Sequence, residues 1–467
     1  MTFAKRVGYS LGNAGFNITS YVVVSIGIYY YLPPGDVADL EPQLGSQIFF
    51  GVFTAYGLAR LLGGIIDSLA DPFVGHWSDR SRSPLGRRRS FMIYGIVPMS
   101  AMPALLFWPP GEPGSTLNFV SLTVLLGVYF VFFTAYVGPY LALLPEIART
   151  EEDRVSLSRL FAVAGFPVLV FLGPLWQVGL DAARDAGISS EEALRTIVVL
   201  LSILAFALCL GPIFSVDERK LPSAVRADLS LGEAVKLTVQ NRPFLIYLFA
   251  QILFILGVTM MQPLTPYLAE VVLGRDLAFA ALLGIAAVPT GVLGFVAAPL
   301  VVRRLGPKGT LVATVVFMGL VLSSLALLEP DVPGGAHDTL NLLVVFGAMG
   351  VLGLAFASFL ILPHVVIGQL IDRDEAHTGA NRSAMFYGAQ GLFTKWAFAA
   401  SATIMSFLFT RYGNSLAEPL GILLVGPVAG ALCLVSAGLY ALYPERRVLA
   451  ESRAEREEAR RAAAESA

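Results

Sequence analysis

Apolar residues fill this chain in long blocks separated by short polar stretches. About twelve blocks reach the ~20 mostly apolar residues a helix needs to cross a bilayer. They lie near residues 8–31, 46–78, 90–109, 117–147, 157–180, 193–215, 242–270, 277–302, 309–328, 339–371, 382–411 and 419–442. Those beginning at 46, 117 and 339 exceed the bilayer and are expected to tilt or project beyond it. The pattern predicts an all-α integral membrane protein with about twelve transmembrane helices. The first block runs from Val7 to Leu32, too long for a signal-peptide core and without a cleavage site after it, so it reads as a retained span.

Basic residues mark alternate loops: Lys5 and Arg6, Arg80–Arg89, Arg149 and Arg154, Arg219–Lys236, Arg303–Lys308 and the tail. The opposite loops carry acids such as Asp36, Asp39, Glu112, Asp181 and Glu329. The positive-inside rule therefore places both termini in the cytoplasm of a multi-pass cell-membrane (inner or plasma membrane) protein.

The halves echo each other. Ala70-Asp71-Pro72-Phe73-Val74 is matched by Ala297-Ala298-Pro299-Leu300-Val301, and each run precedes a basic loop containing Leu-Gly. Pro139–Ile147 leading to Glu151 likewise resembles Pro363–Ile371 leading to Asp374, at a nearly equal offset. The expected plan is two six-helix bundles related by pseudo-two-fold symmetry, the major facilitator fold. Residues 1–215 form the first bundle and 242–443 the second, with a central cytoplasmic loop at 216–241 and a charged tail at 444–467.

Composition agrees. Only 14% of the 467 residues are charged, against ~25% in soluble domains. A net charge of −2, with no basic stripe, gives no nucleic-acid signature. Cys209 and Cys433 sit in apolar runs and read as packing residues. No nucleophile–base set, metal-ligand spacing or phosphate loop points to an enzyme or a cofactor.

Charge inside the spans carries the chemistry. Asp67 and Asp71 stand four residues apart in the second span, with Pro72 next, and Arg60 is the only other charged residue between Gly51 and Trp77. That spacing stacks both acids on one helical face. A carboxylate at membrane depth costs at least ~2.5 kcal/mol, so such residues usually face a polar cavity and mark an ion or proton path. The second bundle has Gly294 and Ala298 at the matching positions, so the acids belong to one half only. Two adjacent carboxylates in low dielectric either retain a proton or clamp a cation. Arg60 reads either as a second partner for them or as a residue reaching the outer surface. Gln251 and Gln262 read as cavity-lining or interhelical, His364 and Trp176 as packing residues, and Tyr29–Tyr31 as an interfacial belt.

Gly75-His76-Trp77-Ser78-Asp79-Arg80 followed by Gly86-Arg87-Arg88-Arg89 resembles the cytoplasmic loop motif of the major facilitator superfamily. The resemblance implies gating roles: Gly75 for close helix packing, Asp79, Arg80, Arg87 and Arg88 for charge contacts. Within that superfamily the chain resembles the glycoside–pentoside–hexuronide:cation symporters (the melibiose permease-like group). Asp67-Ser68-Leu69-Ala70-Asp71-Pro72 is similar to that family's D-x-x-x-D-P, and Tyr387-Gly388-Ala389-Gln390 through Lys395 to its Y-x-x-Q-x-x-x-x-K. Thr134 before Pro139, Arg159 in Ser158-Arg159-Leu160-Phe161, and the acidic Asp372–Glu375 loop also fit. By this resemblance Asp67, Asp71 and Thr134 bind the coupling cation with Lys395 poised beside them. Asn17, Val137, Leu141, Arg159 and Gln390 fall in the substrate region, joined by Gln262.

The departures refine the expectation. The family's Asn before the second acid is Ala70 here, which removes an oxygen ligand and favours H+ over Na+; any metal is a sodium ion at Asp67 and Asp71. Its sugar-binding carboxylates become Asn17 and Val137, and a nearby Trp becomes Leu141, removing charge-assisted bonds to sugar hydroxyls. The reading is a monomeric, cation-coupled importer of a small sugar or glycoside, working by alternating access. The alternatives are a lysolipid, amphiphile or drug transporter on the same fold, and a non-transporting membrane receptor.

Overall fold

The computed structural model describes residues 2–35, 39–148, 151–216, 218, 241–378, 383–445, 447–448 and 450. The interior of the expected central loop, the tail beyond 450, and the side chains of Asp79 and Arg154 lie outside the described residues. The first bundle comprises α1 (Phe3–Tyr31), α2 (Ala55–Arg80), α3 (Arg87–Leu105), α4 (Thr116–Ile147), α5 (Glu151–Asp185) and α6 (Ser190–Ser215). The second begins with α7 (Arg242–Val272). The helical run Leu277–Ser323 is broken at Gly306 (φ 72°, ψ 168°), giving α8 before the break and α9 after it. Then follow α10 (Asp338–Thr378), α11 (Ser383–Tyr412) and α12 (Leu420–Leu442).

Helix is the economical answer here because lipid offers no hydrogen bonds to a free backbone. The ends are fixed by polar caps. Thr54, Ser115, Ser189, Asn241 and Asp276 accept backbone N–H bonds at the starts of α2, α4, α6, α7 and α8. Gly86, at φ 108°, opens α3, where Glu218 accepts from the backbone of Arg88 and Arg89. Inside the first bundle α1 packs closely on α6: a Cβ at Gly15 would strike Cys209, and one at Gly211 would strike the Gly8 carbonyl.

One span starts later than its apolar run suggests. Residues 46–54 are not helical: Ile48–Phe49 and Phe53–Thr54 pair as a short antiparallel hairpin. Phe50 (φ 52°) and Gly51 (φ 73°) turn the chain there, and helix begins only after the Thr54 cap. Nor is the tyrosine run at the end of α1 a lipid-facing belt. Tyr29, Tyr30 and Tyr31 are buried, and their hydroxyls bond to Glu270, to the Phe107 carbonyl and to the Leu106 carbonyl.

Among the described residues the broadest seams between the bundles are α2 along α11 and α5 along the Leu277–Ser323 run. The α2–α11 seam is made close by small residues, since a Cβ at Gly64 would press on Ala399 and one at Gly57 on Thr403 and Ser406.

Candidate functional site

Across the α2–α11 seam, Lys395 of the second bundle meets both acids of the first. Its Nζ lies 2.9 Å from Asp67 Oδ1 and 2.8 Å from Asp71. Thr134 on α4 directs its hydroxyl at the same pair, 2.9 Å from Asp67 and 3.2 Å from Asp71. Asp67 is only 4% exposed, whereas 43% of the Asp71 side chain is open. One acid is thus sealed and the other reachable. Next to them Trp396 donates to Ser68 at 2.8 Å, fixing the register of the two helices.

The electrostatics follow from that count. With both acids ionised, two carboxylates face one ammonium, leaving one negative charge in excess. The ammonium stands where a cation bridging the two acids would bind. A proton on one acid, or a cation between the acids, would remove the excess and weaken the hold on Lys395. Among the described residues no cluster of three or more His, Cys, Asp or Glu could hold a metal ion, and the oxygens converging here come from Asp67, Asp71 and Thr134.

The other expected residues are dispersed. Val137 and Leu141 continue the α4 line of Thr134 at helical spacing; Val137 packs on the core and Leu141 is exposed. Asn17 is half-buried and donates to the carbonyl of Asn13 at 2.6 Å. Gln390, half-buried, donates to the Tyr247 hydroxyl at 3.3 Å. Arg159 and Gln262 are exposed on α5 and α7.

The arginines of the loop motif pair with acids of the first bundle and of the segment after it. Arg87 reaches Glu146 at 3.2 Å and Glu218 at 3.5 Å, and Arg88 reaches Glu146 at 2.7 Å. These contacts tie α3 to α4 and to the segment after α6, within one bundle. Gly75 does not pack closely either: a Cβ there would meet nothing within 4 Å, and Arg80 is exposed. The reason is that the bundles meet at the opposite end.

That far-side closure is absent from the sequence-based expectations. Glu270 on α7 accepts from the Tyr29 hydroxyl at 2.6 Å and from Arg184 on α5 at 2.8 Å. Asp181 accepts the backbone N–H of Ala278 at the start of α8. Tyr267 donates to the Leu32 carbonyl at 2.7 Å, and Asn414 to the Pro33 carbonyl at 2.8 Å. Thr54 and Ser406 lie 2.6 Å apart on the α2–α11 seam. Glu270, a lone carboxylate in an apolar span, is the signal that could have located this network.

Comparison with known proteins adds four likenesses. Residues 8–418 match the family described as MFS/sugar transport protein. The isoprimeverose transporter of Lactiplantibacillus pentosus is 20% identical over 413 residues, covering 88% of this chain and 81% of that protein. A putative glycoside/cation symporter of Escherichia coli (strain K12) is 23% identical over 159 residues, 34% of this chain and 31% of its own length. In structure the chain is similar to a D-xylose-proton symporter, with a TM-score of 0.62 at 16% identity over 94% of this chain and 97% of that one; this is a likeness of fold.

Proposed function

This chain belongs to the MFS/sugar transport protein family and is a multi-pass membrane transporter, not an enzyme, and we propose that it imports a sugar or glycoside with a coupling cation, a proton rather than sodium. The carrying observation is the sharing of one ammonium by two carboxylates across the two bundles. Glycoside/cation symport in a relative, by its printed name, supports the same class of work.

In this reading the basic loops face the cytoplasm and the described conformation is closed toward the outside. One of the two acids receives the proton. Lys395 then loses half of its hold on α2, and the bundles rock about a midplane cavity. Substrate and proton each favour the same state, so each raises the affinity of the other by an equal factor. When the proton leaves, Lys395 returns to both acids, so the empty carrier resets without a bare buried charge. The set of three side chains, with Ala70 where the family has Asn, supports a proton over sodium. The carrier works as a monomer in the cell membrane.

Uptake into proteoliposomes under imposed proton or sodium gradients, across a panel of sugars and glycosides, tests this directly. Accumulation driven by a proton gradient in sodium-free buffer is the expected result. Strict sodium dependence without proton movement would overturn the choice of ion, and no accumulation of any sugar would overturn the substrate class. Leu141, exposed and apolar on the line of Thr134, is the observation favouring an amphiphile, and the same panel should include a lysolipid.

A further inference from the structure

Ser68 stands between Asp67 and Asp71 on α2, and Trp396 directly follows Lys395 on α11. The Trp396 indole N–H donates to the Ser68 hydroxyl at 2.8 Å, and that hydroxyl donates in turn to the Gly64 carbonyl of its own helix at 2.8 Å. The buried Ser68 is thus satisfied both as donor and as acceptor. Phe393, one turn earlier on α11 and itself packed on the core, meets the indole edge-on with ring centroids 5.4 Å apart. Successive helical residues turn by about 100°, so Ser68 looks out between Asp67 and the exposed Leu69. The indole therefore covers the flank of the seam next to Leu69, while Lys395 fills the flank that holds the acids.

The contact also marks where the seam forks. From the far side toward the basic loops, α2 meets α11 at Thr54 with Ser406, at Gly57 with Thr403, at Gly64 with Ala399 and then at Ser68 with Trp396. Gly75 lies three turns beyond Gly64 on the same face, and a Cβ there would meet nothing within 4 Å. Ser68 and Trp396 fall near the middle of their helices, Ala55–Arg80 and Ser383–Tyr412. The fork is therefore near the midplane, about which the bundles of this fold rock.

Resting on the symporter reading above, we propose that Trp396 is a positioning residue: its bond to Ser68 is the fulcrum on which α2 and α11 rock, and it keeps Lys395 within reach of both acids while the seam opens at one end and closes at the other. Rotation about a point moves the groups beside that point least. A contact at the fork thus survives a motion that separates Thr54 from Ser406, and Lys395, the adjacent residue, exchanges partners without leaving the acids. Without the tether, α11 withdraws Lys395 from an acid pair that holds a proton but has no sugar beside it. The carrier then crosses loaded with the proton alone, and coupling slips.

The test uses the proton itself as probe: full-length protein in proteoliposomes with a trapped pH dye, in sodium-free buffer, under an inward proton gradient and with no sugar present. Trp396→Phe keeps a ring and removes the N–H, and Ser68→Ala removes the acceptor. Each should raise sugar-free proton entry at least threefold over the unmodified protein. The double variant should leak no more than the leakier single one, because both remove the same bond. Ser68→Thr, which keeps the hydroxyl, should stay within twofold of the unmodified protein. Trp396→Phe and Ser68→Ala as tight as the unmodified protein would overturn the fulcrum. So would leaks that add in the double variant, or a Ser68→Thr leak equal to that of Ser68→Ala, since either assigns the effect to packing. Sugar accumulation by the unmodified protein together with tight variants would sink the fulcrum and leave the symporter reading standing; an unmodified protein that accumulates no sugar would sink both.

Discussion

Arg184 on the first bundle and Glu270 on the second lie 2.8 Å apart, with the Glu270 side chain only 2% exposed. Among the described residues the pair is the most deeply buried ionic contact between the bundles on the side remote from the basic loops. Tyr29 donates to the same carboxylate. Removing one partner of a buried pair typically costs ~3–5 kcal/mol, because the other is left bare. Asp181 stays 3.5 Å from Arg184 and offsets part of that penalty here.

Glu270→Gln is therefore expected to open the far side. Maleimide labelling of a single cysteine introduced at Thr265, which is 8% exposed, should accelerate at least tenfold. The native Cys209 and Cys433 are buried and give low background. The charge exchange Arg184→Glu with Glu270→Arg should restore slow labelling. An unchanged rate in Glu270→Gln would mean that the contact does not govern closure.

In the proposed mechanism the role of Lys395 is separable from transport of the sugar itself. Lys395→Gln leaves two carboxylates facing each other, which favours permanent loading with a proton. Net uptake driven by a gradient should fall at least tenfold, while exchange of labelled for unlabelled sugar across the membrane persists. Loss of both activities together would assign Lys395 to the substrate pocket instead.

The single Thr134 hydroxyl lies within donating distance of both acids. A hydrogen bond to a charged group contributes roughly 1.5–3 kcal/mol. Thr134→Val should weaken cation-driven uptake by about tenfold or more, and Thr134→Ser should retain most of it. Equal losses in the two variants would point to packing rather than to the hydroxyl.

Close packing of α1 on α6 makes a stability prediction remote from the site. Gly211→Val would push a side chain into the Gly8 carbonyl, and overpacking of this kind usually costs ~1–3 kcal/mol. The melting temperature in detergent should fall by several degrees. A stable variant would show that α1 and α6 separate more easily than their contact implies.

The spans and the acid–lysine cluster are legible in the sequence for one reason: charge stands out against an apolar background. Asp67, Asp71 and Lys395 each interrupt a run that otherwise reads as lipid-compatible. What joins α2 to α11 is not in local pattern, since Asp67 and Lys395 are 328 residues apart, and there the family resemblance supplies the pairing. The far-side contacts escape for a related reason. An aromatic run at a helix end has the same composition whether it faces lipid headgroups or another bundle, so Tyr29 reads as belt and is buried instead. Residues 46–54 mislead because apolar content alone does not distinguish a helix from a hairpin turned at Phe50 and Gly51. Arg87 and Arg88 pair with Glu146 of their own bundle, while the interbundle contacts lie at the other end.

The central claim is that the acid pair carries a proton inward with the sugar, and the most direct measurement is proton movement itself. Proteoliposomes holding a trapped pH dye, in sodium-free buffer, should acidify inside when a transported sugar is added outside. Asp71→Asn should show no acidification even where sugar still equilibrates. Sugar entry without acidification in the unmodified protein, or acidification undiminished in Asp71→Asn, would contradict it.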